Sequence, residues 1–197
     1  YSGGSFIDCT FGGGGYSKEI LKFPNTNVQA FDRDKKVLSL ARKFESKFPK
    51  RFKFYQAKFS QLDIASDENV DVVIFDLGLS SIQLDNLERG FSFKSNNTLD
   101  MTMGLNKISA LEVINNLSEK DLKSIIKIFG EEKEAFKIAK SIVKQRGIKK
   151  ITNTSELVKI IEKSKRKKYS NRINPCTKTF QALRIFVNKE ITELVNG

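Results

Sequence analysis

The sequence predicts an α/β fold in which a doubly wound parallel sheet carries a small helical lobe, and three observations predict it. Short apolar runs in the first hundred residues end on carboxylates at Asp8, Asp32 and Asp76. Four consecutive glycines, Gly12 to Gly15, follow the first run almost directly and form a loop between strand and helix. From Asn106 onward glycine becomes rare, and lysine-studded segments with one apolar face take over, which is the pattern of helices packed together.

Taken in order, Ser5 to Cys9 reads as a buried strand, the glycines as a loop, and Tyr16 to Phe23 as a helix with Ile20 and Leu21 inward. Asn27 to Phe31 is a second strand ending at Asp32. Val37, Leu40, Ala41, Phe44 and Phe48 share one face of the next helix, and Arg51 to Tyr55 is a third strand. Val70 to Phe75 is nearly continuous in apolar residues, as expected of a strand buried on both faces, and it delivers Asp76 at its end. In the second half, Ser118 to Asp121 resembles a capping box before Leu122, Ile125, Ile126 and Phe129. A further helix carries Ala135, Ile138, Ala139 and Ile142 and stops near Gly147; another, capped by Asn153 or Thr154, carries Leu157, Val158, Ile160 and Ile161. A last helix runs from about Thr177, with Phe180, Leu183, Val187, Ile191 and Leu194 along one face.

Composition narrows the chemistry. With 197 residues the chain buries one core, or one core and a modest lobe. No apolar stretch approaches the roughly 20 residues of a bilayer span, and no charged-then-apolar leader opens the chain, so a soluble cytoplasmic protein is the expectation. Cys9 and Cys176 lie far apart and in no CxxC pattern, which suggests free thiols and no zinc site. The chain has no histidine, which removes the His-dependent triad hydrolases and leaves carboxylates, hydroxyls, amides and backbone for any catalysis.

The net charge is +12, and it is unevenly placed: residues 1–104 hold 14 basic and 13 acidic side chains, residues 105–197 hold 21 and 10. A polyanionic partner for the second half is the functional reading; a compositional bias toward lysine is the plainer one. The run SKRKKYSNR places Lys165, Arg166, Lys167, Lys168 and Arg172 around a tyrosine, either a phosphate-contacting loop or a solvated one.

The glycine loop lacks the GxxxxGK[ST] ending of a nucleotide-triphosphate loop and meets GxGxxG only loosely, since Ser17 stands where the third glycine belongs. Asp32 lies 18 residues beyond Gly14, close to the spacing at which a strand-end carboxylate takes ribose hydroxyls. Four glycines beside Asp8 suit S-adenosylmethionine, whose zwitterionic tail needs close backbone approach and a carboxylate for its ammonium. A dinucleotide remains the alternative.

The strings FIDCTFGGGGYS, AFDRD, FDLGLSSIQLDNLERGFSF, LDMTM, FGEE and TKTFQALRIFVNKE occur in this order along nearly the whole chain. In them the sequence resembles the bacterial 16S ribosomal RNA cytosine-N4 methyltransferases, which methylate a cytosine of the decoding centre. The resemblance implies a Rossmann-like class I methyltransferase core with an inserted helical domain. Residues 1–105 would be the first part of the core, 106–175 the inserted RNA-binding helices, and 176–197 a helix returning to the core.

The same resemblance implies that Gly14, Gly15 and Tyr16 contact the methionine portion of S-adenosylmethionine, that Asp32 holds its ribose, and that Phe59 lies against the adenine. Asp76 and Gln83 would complete that site. Cytosine N4 is a poor nucleophile because its lone pair is delocalised into the ring, so the reaction needs an acceptor for an N–H of the amine. Asp76, or a backbone carbonyl between Leu77 and Ser80, is the first candidate for that acceptor and Asp100 the second. Arg89, Phe91 and Phe93 are candidates to receive phosphate and a splayed base.

The chain departs from the family pattern at Tyr16, usually His; at Ile82 and Thr98, usually Pro; and at Thr102 and Lys178, usually Arg. The family also starts before Tyr1 and continues past Gly197 into more strands, which implies a fragment whose fourth strand is an open apolar edge. Two other readings stand beside this one: a non-catalytic RNA-binding module carried on an incomplete core, and an NAD-dependent oxidoreductase.

Overall fold

The computed structural model describes residues 3–64, 69–104, 106–165 and 174–197. They divide into two compact units: Tyr1–Ile82 with Met103–Leu105 and Ile191–Gly197, and Gln83–Thr102 with Asn106–Glu190.

The first unit is built on four parallel strands, β1 (Gly4–Asp8), β2 (Thr26–Phe31), β3 (Phe52–Tyr55) and β4 (Val72–Ile74), in the order β3-β2-β1-β4. Helix α1 (Gly15–Ile20) connects β1 to β2, and a 3-10 turn (Lys35–Val37) leads into α2 (Leu38–Lys47), which connects β2 to β3. Because side chains alternate across a strand, Phe6 and Ile7 feed opposite faces of the sheet. Phe6 joins Phe11, Leu21, Val28, Val37, Ala41 and Phe52 in one core layer, and Ile7 joins Cys9, Phe31 and Ala57 in the other. Phe11 is the hub of the first layer, with ring centroids 5.3 to 5.5 Å from Phe44, Phe52 and Phe54. The expected fold class is therefore present: a Rossmann-like parallel sheet with helices around it.

The fourth strand, whose apolar run reads as buried on both faces, is instead the open apolar edge that the family resemblance implies. β4 is an edge strand, and Val72 and Val73, which point to opposite faces, are 40% and 45% exposed. Its apolar composition records what it is suited to pack against, while its burial depends on neighbours that these elements do not supply.

Past β4 come the short α3 (Ser81–Asp85) and a 3-10 turn (Leu87–Arg89). The second unit is otherwise helical: α4 (Ala110–Asn116), α5 (Glu119–Gly130), α6 (Ala135–Ile148), α7 (Thr154–Ser164) and α8 (Thr177–Asn188). Each start carries its own signal. Ser109 and Glu112 close a full capping box on α4, Ser118 accepts from the Asp121 amide on α5, and Asn153 caps α7. α5 packs against both α6 and α8, with α7 against α6. Leu122, Ile126, Ile138, Ile142, Leu157, Ile161 and Leu183 are fully buried.

α6 stops at Ile148, next to Gly147 as expected, while one expectation about helix ends changes. The last helix is two: Lys189 takes a left-handed conformation (φ 50°), α8 ends there, and α9 (Glu190–Asn196) follows. Of residues 176–197, expected as a helix returning to the core, 177–188 pack as α8 on α5 within the second unit and Ile191–Gly197 belong to the first unit.

Candidate functional site

In the first unit β1 has a parallel neighbour on each side, β2 reached forward in sequence and β4 beyond it. The carboxyl ends of β1 and β4 therefore flank the point where the strand order reverses, which is where open α/β sheets bind ligands. The glycine loop leaves the sheet at that point, and three side chains tie it down.

Asp8 is fully buried; its Oδ2 accepts from Ser17 Oγ at 2.7 Å and its Oδ1 from the Thr10 amide at 3.2 Å. Burial pushes its pKa above the usual value, partly countered by the Ser17 bond. Asp32, at the end of β2, accepts from the Gly12 amide (2.8 Å) through Oδ2 and from the Asp34 amide (2.8 Å) through Oδ1. Its pKa is also raised, chiefly by burial, although the side chain is not fully enclosed. Thr10 spans the switch point itself: its Oγ1 accepts from the Asp76 amide at 2.9 Å, beside the Cys9 amide donating to the Ile74 carbonyl at 2.9 Å. Within the glycine run, Gly14 sits at φ 72°, and an added Cβ would lie 2.9 Å from the Phe44 ring. An added Cβ at Gly15 would meet nothing within 4 Å and one at Gly13 only Ser81 Oγ at 3.9 Å, so the outer side of the loop is open to a ligand's close approach.

Asp8 is thus used differently from the sequence reading. A carboxylate expected to meet an ammonium holds the loop's own hydroxyl and amide. Thr10 and Ser17 were missed as functional positions. The signal for Thr10 was the Asp8-x-Thr10 spacing, since an aspartate commonly bonds the amide two residues on.

The other expected cofactor residues of this unit lie around the same strand ends. Tyr16, in the first turn of α1, is 50% exposed. Phe59, past β3, meets Phe75 edge to face with centroids 5.4 Å apart. Asp76 is exposed and two residues past β4. Cys9 and Cys176 are buried thiols, each pushed up to about 12 by burial, so neither is a nucleophile at neutral pH.

The remaining expected residues belong to the second unit. Gln83, in α3, is buried. Arg89 donates to the Thr102 carbonyl (2.7 Å) and lies over the Phe91 ring at 5.0 Å; Met101 N–H donates to the Arg89 carbonyl (2.8 Å). Asp100 accepts from Thr102 Oγ1 at 2.9 Å. Gly90, at φ 71°, lets the backbone pass where an added Cβ would sit 2.6 Å from the Thr98 carbonyl. The ERGF and TLDMT segments are therefore knitted into one piece. Phe91 is buried rather than offered to a base, and Phe93 is half-buried against Phe180. Lys165, expected at a phosphate, instead pairs with Glu132 at 2.5 Å and donates to the Pro175 carbonyl, with both charged side chains almost fully buried. Arg166, Lys167, Lys168 and Arg172 lie outside the described residues.

A parallel sheet in this order, a glycine turn at the switch point and a half-enclosed carboxylate at the end of the neighbouring strand define a Rossmann-like domain built for a nucleoside-containing cofactor. The chain belongs to the MraW methylase family, whose model matches residues 1–196. It is 45% identical over 195 residues to the ribosomal RNA small subunit methyltransferase H of Bartonella tribocorum, covering 99% of this chain and 58% of that protein. The proteins of the same name from Ehrlichia canis and Orientia tsutsugamushi are each 44% identical over 197 residues, covering 98% of this chain and 66% and 63% of their own lengths. The chain thus spans about three fifths of the length of these relatives.

Proposed function

We propose that the complete protein transfers a methyl group from S-adenosylmethionine to the N4 amine of a cytosine in the decoding centre of 16S ribosomal RNA. Its partner would be that RNA or the small ribosomal subunit, and its place the cytoplasm. The observation that carries the reading is the tie between the glycine loop, Asp32 and Asp76 at the β1/β4 switch point, in a chain of a methylase family.

The residues present fit such a donor. Asp32 uses one accepting position on each oxygen for backbone amides and keeps further lone pairs for two ribose hydroxyls. The open outer sides of Gly13 and Gly15 leave room for the methionine portion beside Gly14 and Tyr16, with Phe59 for the adenine; Gln83 is assigned to the same donor by the family resemblance alone. When bound, the donor supplies an electrophilic methyl on a sulfonium. Asp76, or a carbonyl between Leu77 and Ser80, accepts an N–H bond from the target amine, which keeps the nitrogen lone pair directed at the methyl carbon as the C–N bond forms and the sulfonium C–S bond breaks; the proton then lost goes to the Asp76 carboxylate, or to water where a carbonyl is the acceptor. Asp100 is the second candidate for that role. Arg89 and Phe93, with Arg166, Lys167, Lys168 and Arg172, hold the RNA, while Phe91 and Lys165 keep their neighbours in place.

Calorimetry with S-adenosylmethionine and transfer of labelled methyl to unmodified small subunits test this together. Binding of the donor with no response to NAD is the expected result. If Asp76→Asn leaves both donor affinity and transfer intact, Asp76 is not the acceptor.

A further inference from the structure

We propose that a cleft in the helical unit, between the end of α6 and one face of α7, is a contact site for the sugar–phosphate backbone of the RNA, resting on the reading that RNA is the substrate. The cleft has a volume of about 190 Å³, and its rim carries Lys149 and Lys150 from the α6–α7 connection and Lys159 and Lys163 from α7. Lys159 and Lys163 stand four residues apart, so they project from the same side of the helix one turn apart. The floor is apolar and packed: Ile151 is 2% exposed and Ile160 9%.

Charge decides what fits. One carboxylate, Glu156, lines the cleft, and its oxygens are engaged by the Thr152 amide (2.7 Å), Thr152 Oγ1 (3.1 Å) and Lys149 (3.4 Å), which hold its pKa below the usual value. Among the described residues, Lys150, Lys159 and Lys163 have no ion-pair partner. What sets these lysines apart is their gathering around one concave surface; Lys137, Lys58 and Lys165 are held singly by Glu134, Glu193 and Glu132. Gathering four ammoniums around a concave surface with one carboxylate among them, Glu156, leaves an excess of positive charge that raises its potential, and a chain of phosphates is the ligand that relieves it. All four are lysines, which bind phosphate as point charges without the planar fork that reads base edges. The contact is therefore one that positions the RNA without reading its sequence.

The test uses the complete protein and a fluorescein-labelled transcript of small-subunit ribosomal RNA. Anisotropy titrations run across roughly 50 to 200 mM salt, the range in which phosphate contacts change affinity most visibly. Lys159→Gln/Lys163→Gln is expected to weaken binding about tenfold at the low-salt end. It should also flatten the plot of log K against log salt by about 1.4 to 1.8, the value for two lost phosphate contacts. The loss should be equal for a scrambled transcript, and S-adenosylmethionine affinity should be unchanged. Lys35→Gln/Lys43→Gln, which removes the same charge from exposed lysines of the other unit, should leave the slope as it is. An unchanged slope in the α7 variant, or an equal loss in the control, overturns the cleft as a site while leaving RNA as the substrate. Failure of the unaltered protein to bind the transcript overturns both.

Discussion

Replacing Lys165 by methionine removes one partner of an ion pair whose side chains are 5% and 3% exposed, with N and O 2.5 Å apart. Glu132 would keep only its bond from the Glu134 amide at Oε1 and would face the helical core without a countercharge. Breaking a buried pair in this way costs about 3–5 kcal/mol, because the remaining charge is desolvated and unmatched. An exposed pair would contribute roughly 0–1 kcal/mol, so the two situations are easily separated. For a domain of about a hundred residues the predicted loss lowers the melting temperature on the order of 10 °C or more. The assay is thermal and urea unfolding of the single variant, of Glu132→Gln, and of Lys165→Met/Glu132→Gln. The double variant should be more stable than Lys165→Met alone by about 2 kcal/mol, since removing both charges removes the unmatched one. A Lys165→Met loss below about 1 kcal/mol, or simple additivity in the double variant, refutes the argument that the pair is a buried structural element.

Other consequences follow from the first unit. Thr10→Val keeps the shape of the side chain and removes the acceptor for the Asp76 amide, so methyl transfer should fall about tenfold, with stability changed by only about 1 kcal/mol; Thr10→Ser should restore it. A transfer rate unchanged by Thr10→Val would show that Asp76 is held some other way. Gly14→Ala forces a Cβ into the left-handed region and against Phe44, and donor affinity should drop at least tenfold in calorimetry. Asp32 must be ionised to accept two ribose hydroxyls, and burial raises its pKa above the usual 3.8. Donor affinity should therefore fall as pH is lowered through a midpoint above 3.8, and Asp32→Asn should bind weakly with no such midpoint. The sign for stability is opposite. Asp8 and Asp32 both bind their protons more tightly in the folded state, so their contribution declines as pH rises from about 3.8 through their folded values; Asp8→Asn should flatten that decline in urea melts.

Much of the fold was legible because it depends on local pattern. Four short apolar runs, three of them ending on carboxylates, became four strands, and Ser118 and Asn153 announced their helices through side chains that bond nearby amides. The full capping box of α4 at Ser109 and Glu112 was readable in the same way and was missed, since the apolar stripe behind it is only two turns long. What stayed hidden depends on distant partners. Lys165 reads as one cation of a basic run until Glu132, 33 residues away, is brought to it. The exposure of Val72 and Val73 was implied by the family resemblance and not by the strand's own composition, since it depends on whether another element covers them. The break at Lys189 interrupts an apolar stripe that continues unbroken in the sequence, because a left-handed turn needs no special residue type when packing enforces it. In the site, glycines and Asp32 were legible by spacing, whereas the role of Thr10 depends on Asp76 arriving beside it from 66 residues away.

The most direct test of the account is a methyl-transfer reaction with the complete protein, labelled S-adenosylmethionine and unmodified small ribosomal subunits, followed by nucleoside analysis of the RNA. The account predicts label in N4-methylcytidine at one decoding-centre position, with the label lost in Asp32→Asn. Label on a different atom or base, or donor binding with no transfer to RNA, would contradict it.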